Sequence, residues 1–548
     1  MVSFVVKPPS RLSYELFKQV LSLKAKSNYK ALLNATKNPR ETQSATLLSI
    51  LGQNASTDYG RACEFASITS TEDFQQRVPI ATFEHLRPYI NQQRKLGTTS
   101  LTQETPIYFN RTSGTTGTPK DVPITPTTLL EIQQLSQVNA YVLASQSNVL
   151  RHKIFAIGGA EVEDRTEQGI PIGSASGMLY RQQSKFVSSR YVLQPEVFDI
   201  KDIELRYLVC AILGVRERFV STIVAANPST LIRLCSIINL RRDEIIKAVM
   251  DHQFPDAANR VSLPRINRSR LSELKTLFEN REQVTFEHIW PELQGVIAWG
   301  GGSCGFALDN LSPLLPSTCR FIEMGYLSSE FRGTINIDLR NNVCIPPLHH
   351  TFFEFVEQDD WENERKQTLH LHELELGKSY YIFATTSNGL YRYDINDIVR
   401  VIGFVNATPA LEFVQKGRGT TNITGEKVTE QQVLLCMQFL RREYDLKPVF
   451  FIVLADEQTA RYLLCIETKS SYDETKISTE FDTKLQQLNI EYKSKRESQR
   501  LAPMIARRLT EGTGVAFHNQ RVADGQRASQ FKYPHLLYLN EFPSNYLA

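Results

Sequence analysis

The chain has 548 residues, of which 41% are hydrophobic and 22% charged, and its formal net charge is only +3 at pH 7. This length exceeds what one hydrophobic core normally fills, so we expect at least two domains. Basic residues occur only in short groups, which argues against nucleic acid or an anionic membrane surface as a partner.

The spacing of the cysteines and the N-terminal sequence indicate the cellular compartment. The eight cysteines lie far apart without a Cys-x-x-Cys pair, so free thiols in a reducing cytosol fit better than a zinc site or disulfides. Lys7, Pro8 and Pro9 break the N-terminal apolar run, which is too short for a signal peptide. No apolar stretch approaches the roughly 20 residues that span a bilayer. We therefore expect a cytoplasmic protein.

Apolar spacing predicts the first elements. Helices are expected over residues 11–36 and 39–52, the second with Asn38-Pro39 at its start and Gly52 at its end. From about 105 to 415 short strands alternate with helices, which favours an α/β architecture. Ser387-Asn388-Gly389 indicates a hairpin turn between strands 380–385 and 390–393. Other predicted strands are 107–109, 296–299, 320–324 and 351–356, and other predicted helices are 128–144 and 230–250.

The pattern changes near residue 418, where we place a domain boundary. A compact unit follows, with helix 430–444, strands 449–454 and 462–467, and helix 474–488. Thr429 and Gln432 resemble a capping box before its first helix. The predicted domains are therefore 1–417 and 418–548.

Residues 112–120 form a loop dense in glycines and hydroxyls that ends at Lys120. Glycines let backbone N–H groups approach an anion, and the hydroxyls and lysine add donors and charge, so the loop suits a polyphosphate. It is not a Walker loop, because Asp121 follows the lysine and Pro123 would break the helix that this motif opens. A flexible surface turn is the structural alternative. The residues concerned are Thr112, Ser113, Gly114, Thr115, Thr116 and Gly117.

Two later segments follow predicted strands. The glycine run 300–302 fits a planar ligand lying against backbone, or else a tight turn. In segment 321–330, Tyr326 suits an adenine ring, and Glu330 suits Mg²⁺, which prefers carboxylate and phosphate oxygens. The ordinary interpretation of Glu330 is a solvated strand end.

Three polar segments lie towards the C-terminus. Asp397 sits between apolar residues and needs partners, either two ribose hydroxyls or a salt bridge to Arg392 or Arg400. Glycines in segment 417–428 indicate a hinge or an ordinary linker. Lys532 lies between aromatic residues, where a lysine is usually a surface residue.

In order and spacing these segments resemble known proteins. Residues 112–120, Thr-Ser-Gly-Thr-Thr-Gly-x-Pro-Lys, resemble the phosphate loop of the adenylate-forming superfamily. The whole series resembles the auxin-responsive Gretchen Hagen family of acyl-acid amido synthetases, over most of the chain. The further segments that carry this resemblance are 74–80, 86–90, 289–291, 328–330, 353–355, 391–393 with Asp397, 424–427, and 530–532 with Pro534.

The resemblance implies a large N-terminal α/β domain with mixed sheets, a small mobile C-terminal α+β domain, and ATP between them. It implies an ATP-dependent ligase that converts a small carboxylic acid to an acyl-adenylate and passes the acyl group to an amine, for which a monomer is expected. The catalytic residues would be Lys532, Lys120 and Glu330, the last holding magnesium. The other nucleotide-binding residues would be the loop 112–117, Tyr326, Ser329, Asp397 and, at the hinge, Arg418.

Three departures from the family pattern leave the acceptor open. Asn396 stands where relatives usually carry glycine, and His535 stands where they usually carry arginine. The loop 112–120 is closer to the general superfamily form than to the plant form. An acyl-CoA ligase or carrier-protein loader, with a thiol acceptor, is therefore the alternative, and a non-catalytic scaffold is a third possibility. The acyl pocket is expected among residues 155–235 and 300–303. Its candidate residues are Ile157, Met178, Gly301, Gly302 and Ser303.

Overall fold

The computed structural model describes residues 11–547 except 98, 113–119, 255–260, 363–364, 366, 418–419, 422, 425, 498–499 and 525–530. The chain forms two compact units. The first draws on Met1–Gly300, Leu311–Ile395 and Val399–Glu412, and the second on Gly301–Asn310, Asn396–Ile398 and Phe413–Ala548. Among the described residues, no helix is both long enough and apolar enough to cross a membrane.

Helices open the first unit, and the two predicted there are confirmed. The second does not end at Gly52 as expected; it continues to Asn54, whose side chain donates to the Ile50 carbonyl at 2.9 Å inside the last turn. Pro39 occupies its first turn, where a missing N–H costs nothing. The helices are α1 Arg11–Ala35, α2 Pro39–Asn54, α3 Asp58–Ala62, α4 Thr71–Arg77 and α5 Phe83–Leu96.

A small mixed sheet follows, in the order β2-β1-β5-β4. Strand β1 pairs antiparallel with β2 and parallel with β5, and the loop 113–119 lies between β1 and β2. The elements in this stretch are β1 Tyr108–Arg111, β2 Asp121–Ile124, α6 Pro126–Gln146, β3 Lys153–Ala156, β4 Asp164–Arg165, β5 Pro171–Gly173, α7 Ala175–Arg181 and α8 Lys185–Ser188.

A four-stranded parallel sheet, in the order β3-β6-β7-β8, forms the centre of the first unit. Trp290 is fully buried, stacks on Phe286 with ring centroids 5.3 Å apart, and donates Nε1–H to the Glu217 carbonyl at 2.9 Å. The elements are α9 Ile203–Arg216, β6 Val220–Val224, α10 Pro228–Leu240, α11 Arg242–Asp251, α12 Arg268–Asn280, α13 Phe286–Ile289, β7 Gly295–Ala298, α14 Ser303–Leu311 and β8 Arg320–Glu323.

The single helix predicted over 230–250 is wrong, because the helix breaks at Arg241. The side-chain amide of Asn239 donates to the Val284 carbonyl at 2.7 Å and accepts the Val284 N–H at 2.8 Å. The next helix starts with Arg242, whose guanidinium donates to the carbonyls of Phe278 and Arg281. These distant contacts turn the chain between α10 and α11.

A five-stranded sheet has the order β12-β11-β13-β14-β15. The predicted turn at 387–389 is present, but the strand expected from residue 390 starts only at Tyr393. Residue Leu390 instead closes the turn, accepting the Thr386 N–H at 2.9 Å. The elements are β9 Ile335–Asp338, β10 Val343–Ile345, β11 Phe352–Glu357, α15 Gln358–Glu362, β12 Leu369–His370, β13 Ser379–Thr385, β14 Tyr393–Val405 and β15 Thr408–Lys416.

The second unit is built on a mixed sheet in the order β20-β19-β18-β21. Successive residues of one inner strand, such as Phe450 and Phe451, enter two separate hydrophobic clusters on opposite faces, as strand periodicity requires. The predicted Thr429–Gln432 capping box is confirmed. The elements are β16 Thr420–Thr421, β17 Val428–Thr429, α16 Glu430–Tyr444, β18 Phe450–Asp456, β19 Arg461–Glu467, α17 Glu474–Leu488, α18 Ile490–Glu497, β20 Ile505–Arg508, α19 Thr513–Ala523 and β21 Leu536–Tyr538. The α/β fold with mixed sheets is thus confirmed.

Candidate functional site

The carboxyl ends of the four parallel strands meet at one edge of the central sheet. Ile157, after β3, donates its N–H to the carbonyl of Val224 in β6 at 2.8 Å. Met324, after β8, donates to the carbonyl of Ala298 in β7 at 2.9 Å. Ligands of open α/β sheets bind at this edge. Ile157, predicted for the acyl pocket, and Tyr326, predicted for adenine, thus both follow strands that end here.

Glu323, at the end of β8, holds two glycines by their backbone. Its carboxylate accepts the N–H of Gly300 at 2.7 Å and that of Gly325 at 3.0 Å. Gly325 has φ +85°, a conformation that suits glycine. Sequence reasoning missed this role. An acidic residue that ends a strand directly before Met-Gly-Tyr was the available signal.

Tyr326 packs against the turn that follows it. Its N–H is held by the Thr334 hydroxyl at 2.8 Å, and its carbonyl accepts the N–H of Gly333 at 2.9 Å. A Cβ on Gly333 would lie only 2.0 Å from the tyrosine ring. The ring edge meets Phe331, with centroids 6.0 Å apart. The ring therefore occupies space that is open only because residue 333 is glycine.

Asn110 connects strand β1 to two predicted parts of the site. Its Nδ2 donates to the Ser329 carbonyl at 2.8 Å, and its Oδ1 accepts the N–H of Ala175, the first residue of α7, at 2.9 Å. Next to Ser329, the Ser328 hydroxyl accepts the Glu330 N–H at 3.3 Å. One buried asparagine thus ties the predicted phosphate hairpin to the turn that carries Glu330.

Lys120, at the base of that hairpin, meets two other groups. The Lys120 ammonium donates to the Tyr393 hydroxyl at 3.2 Å and lies 3.9 Å from Glu330 Oε1. The Tyr393 hydroxyl donates to the same Oε1 at 3.2 Å. Thr112 closes the hairpin, donating its N–H to the Lys120 carbonyl at 2.8 Å. The loop residues Ser113, Gly114, Thr115, Thr116 and Gly117 lie outside the described residues.

Arg392, which precedes Tyr393, is a buried anchor. Its guanidinium makes two hydrogen bonds with the Glu354 carboxylate, at 2.9 and 3.0 Å. It also donates to the carbonyls of Gln75 and Val78, each at 2.8 Å. These contacts account for segments 74–80 and 353–355, which carried the resemblance but had no assigned role. The backbone of Arg392 has φ +44°, where a residue with a Cβ is strained.

Asp397 lies in β14 between apolar neighbours, as predicted, and is 2% exposed. The Lys416 ammonium lies 2.5 Å from its Oδ1. The two arginines considered from the sequence pair elsewhere, Arg392 with Glu354 and Arg400 with Glu412. Arg418 lies outside the described residues.

Asn396 explains one departure from the family pattern. Its backbone has φ +58°, and its carbonyl accepts the Gly417 N–H at 2.8 Å. Glycine adopts this left-handed conformation freely, and asparagine is among the few other residues that tolerate it. Asparagine can therefore replace glycine here without moving the aspartate that follows.

In the second unit, Phe413 lies beside three predicted site residues, Lys532, Gly301 and Gly302. The Lys532 ammonium lies over its ring, 4.8 Å from the centroid, an attractive cation–π contact. The ring also lies beside the glycine turn, since a Cβ on Gly301 would lie 3.3 Å from it and one on Gly302 3.4 Å. Ser303 follows as the first residue of α14. Sequence reasoning missed Phe413.

His535, which directly follows Pro534, is buried. Its ring stacks on that of Phe451, with centroids 4.3 Å apart. It donates Nδ1–H to the Phe451 carbonyl at 2.8 Å. Burial lowers the pKa of His535 to about 4, although that hydrogen bond acts in the opposite direction. At neutral pH residue 535, one of the departures from the family pattern noted above, is therefore an uncharged, buried ring.

The remaining acyl-pocket candidates lie around α7. Met178 is 2% exposed and packs with Tyr108 and Ile124. The Ser176 hydroxyl accepts the Gly159 N–H at 3.1 Å, which brings segment 157–159 against the start of α7. Ile157 is half-buried, so of these candidates it is the one with a partly exposed side chain.

Within the described residues, no three or more His, Cys, Asp or Glu side chains are arranged to hold a metal. Glu330 fits magnesium in another way, because one buried carboxylate beside the predicted phosphate hairpin suits an ion whose other ligands are phosphate and water oxygens. His349 and His350 precede β11, and burial lowers their pKa values to about 4 and about 3.

Comparisons with known proteins agree on one family. Three family models match the chain: the GH3 family N-terminal domain over residues 28–319, the central domain over 344–416 and the C-terminal domain over 431–540. The indole-3-acetic acid-amido synthetase GH3.15 of Arabidopsis thaliana is 24% identical, over 93% of this chain and 93% of that protein. The jasmonoyl--L-amino acid synthetase GH3.5 of Oryza sativa subsp. japonica is 24% identical, over 91% and 92%.

Solved structures agree on the fold. The GH3.15 acyl acid amido synthetase superimposes with a TM-score of 0.82 at 20% identity, over 96% of this chain and 95% of that one. A 2-hydroxyisobutyryl-CoA ligase in its postadenylation state gives 0.51 at 10% identity, over 94% and 90%. The adenylate-forming fold implied by the sequence is therefore confirmed, and the chain belongs to the GH3 family.

Proposed function

We propose that this protein is an ATP-dependent acyl-acid amido synthetase. It converts a small carboxylic acid and ATP to an acyl-adenylate and pyrophosphate, and an amine, here an amino acid, then displaces AMP to form an amide. The GH3 relatives named for amide formation with indole-3-acetic acid and jasmonate support this assignment.

One observation carries the proposal. The adenylation loop motif of residues 112–120 ends at Lys120, whose ammonium lies 3.2 Å from Tyr393 Oη and 3.9 Å from the Glu330 carboxylate. A lysine, a buried carboxylate and a glycine- and hydroxyl-rich loop form a donor set suited to a polyphosphate with its metal ion. A scaffold that had lost catalysis would have no need to keep these groups together.

The first half-reaction needs positioning and charge neutralisation more than covalent help. A carboxylate oxygen of the acid attacks the α-phosphorus of ATP, and the bond from that phosphorus to the bridging oxygen of pyrophosphate breaks. We assign Lys532 to the α-phosphate and Lys120 to the departing phosphates. Glu330 would hold magnesium, which when bound neutralises charge on the phosphate oxygens.

The other assignments follow the motif positions. Tyr326 and Ser329 would hold the adenosine, Asp397 the ribose hydroxyls, and Arg418 the nucleotide at the hinge. The phosphates would lie in the loop of Thr112, Ser113, Gly114, Thr115, Thr116 and Gly117. The acyl group would contact Ile157, Met178, Gly301, Gly302 and Ser303.

In the second half-reaction the amine nitrogen attacks the acyl carbon, loses a proton, and the bond to the AMP oxygen breaks. The mixed anhydride must first be shielded from water, and we propose that residues 418–548 act as a mobile domain that does this. We also propose that the protein acts as a monomer in the cytoplasm. The eight cysteines, all free thiols, suit a reducing compartment.

The test is a two-stage screen of the purified protein. Carboxylic acids are first screened for acid-dependent exchange of labelled pyrophosphate into ATP, with aryl, indolyl and fatty acids as separate arms. The best acid is then incubated with ATP and each amino acid, or with coenzyme A, and the products are identified by mass spectrometry.

We expect one class of acid to support exchange and an amino acid to yield the amide and AMP. A thioester with coenzyme A and no amide would favour the alternative, a thiol acceptor. Exchange with none of the acids would contradict adenylation itself.

A further inference from the structure

The hydroxyl of Tyr393 lies between the ammonium of Lys120 and the carboxylate of Glu330. We propose that Tyr393 is a positioning residue that keeps these two charges apart and aimed at the polyphosphate. This inference rests on the proposed function, and neither the sequence motifs nor the relatives' names assign a role to Tyr393.

The geometry fixes the direction of both hydrogen bonds. An ammonium has donors only, so Lys120 donates to the phenol oxygen at 3.2 Å, and the phenol O–H donates to Glu330 Oε1 at 3.2 Å. The two charged groups remain 3.9 Å apart. A direct charge-assisted hydrogen bond between them would be about 2.8 Å long. The two charges thus form an ion pair only at this longer distance, and the phenol takes the place of a direct hydrogen bond between them.

A closer ion pair, with a direct hydrogen bond between lysine and glutamate, would weaken the site. An ammonium paired directly with a carboxylate has less charge to offer a phosphate, and the carboxylate has fewer lone pairs to offer a cation. Glu330 is 8% and the Lys120 side chain 33% exposed, so water screens the attraction between the two groups only in part. Without the hydroxyl, we expect the lysine to move onto the glutamate.

Contacts of Ala81 and of Arg392 hold this hydroxyl in place. Ala81 accepts the Asp394 N–H at 2.9 Å and donates to the Arg392 carbonyl at 3.1 Å, so the backbone is held on both sides of Tyr393. The neighbouring Arg392 is locked by Glu354 and by the carbonyls of segment 74–80 in a strained conformation. Strain held by so many contacts is typical of functional positions.

The test compares two isosteric variants, Tyr393→Phe and Tyr391→Phe. Tyr391 is the matched control: it is fully buried two residues away, and its hydroxyl donates to the Leu101 carbonyl at 2.7 Å. Both variants lose one buried hydroxyl. Acid-dependent pyrophosphate exchange is measured for each, together with ATP affinity by calorimetry without acid and thermal unfolding.

We expect Tyr393→Phe to lower the exchange rate by about 10- to 100-fold and to weaken ATP binding, since hydrogen bonds to charged groups are lost. Tyr391→Phe should keep both within about twofold at temperatures where it is folded. In a Glu330→Gln background, Tyr393→Phe should add less than about a twofold loss, because its partner is already uncharged.

Three results would overturn the inference: exchange by Tyr393→Phe at the wild-type rate, an equal loss in Tyr391→Phe, or an undiminished effect in the Glu330→Gln background. These results differ from a failure of the proposed function, in which the wild-type protein itself would show no acid-dependent exchange.

Discussion

The ammonium of Lys416 lies 2.5 Å from the carboxylate of Asp397, although Lys416 is half-exposed and Asp397 is buried. The lysine supplies the counter-charge that a buried carboxylate requires. The assignment of Asp397 to the ribose can be tested directly by substitution.

Asp397→Asn should abolish the preference for ATP over 2′-deoxy-ATP. A carboxylate that accepts both ribose hydroxyls loses one bond with the deoxy nucleotide, so the wild-type protein should prefer ATP by about tenfold in kcat/KM. The amide of the variant is a weaker, uncharged acceptor, and the ratio should fall towards one. An unchanged ratio would remove Asp397 from the ribose site. The control is Asp445→Asn, an exposed carboxylate that pairs with Lys447.

Gly333→Ala should weaken nucleotide binding through Tyr326. The new methyl group would lie 2.0 Å from the tyrosine ring, so the ring must move, at a cost of about 1–3 kcal/mol in stability. If the ring supports adenine, the dissociation constant for ATP should rise by about tenfold or more. The control is Gly52→Ala in α2, where a Cβ meets nothing within 4 Å. It should stabilise the helix by about 0.5–1 kcal/mol and leave ATP affinity unchanged.

Lys532→Ala should lower the pyrophosphate exchange rate by about 100- to 1,000-fold, the usual effect of removing one group that neutralises charge in a transition state. Folding should change little, because the lysine is only partly buried. Lys447→Ala, an exposed lysine in the same unit, is the control. Exchange by Lys532→Ala at the wild-type rate would show that another cation serves the α-phosphate.

Phe413→Leu should reproduce part of the loss of pyrophosphate exchange expected for Lys532→Ala. Leucine fills similar space against the glycine turn but offers no aromatic face to the Lys532 ammonium, so a two- to about 30-fold fall in exchange is expected. Phe413→Tyr keeps the face and should retain most of the activity. Equal losses in both variants would mean that the ring serves packing alone.

His535 should make stability depend on pH. Its pKa is about 4 in the folded chain and about 6.5 when unfolded. Between these pH values the unfolded chain is protonated at His535 and the folded chain is not, so acid favours unfolding. The contribution of this residue is therefore complete above about pH 6.5 and is lost as the pH falls, by about 1.4 kcal/mol per pH unit. Urea unfolding at about pH 7 and pH 5 measures it. The non-titrating variant His535→Gln should be less stable at pH 7 and should lose less on acidification.

Local signals decided which parts of the fold were predictable. Helices α16 and α17 begin and end where the sequence predicts, because α16 carries its own capping box and both carry regular apolar spacing. The break at Arg241 depends on contacts of Asn239 and Arg242 with residues about 40 positions away, which periodicity does not report.

The same distinction applies to the site. Lys120 and Glu330 were predicted because their segments resemble the family pattern in order and spacing, and the structure brings the two side chains together. Tyr393 and Phe413 were missed because they are ordinary aromatic residues whose roles come from strands that deliver them to charged partners.

The Arg392 anchor also has a consequence for synthesis of the protein. It joins carbonyls at Gln75 and Val78 to a carboxylate at Glu354, so it forms only after more than two-thirds of the chain has left the ribosome. A nascent chain that has exposed the phosphate loop alone lacks Glu330, Tyr393 and this support. The capacity to consume ATP should therefore emerge late in translation, which protects the cell from wasteful turnover by unfinished copies.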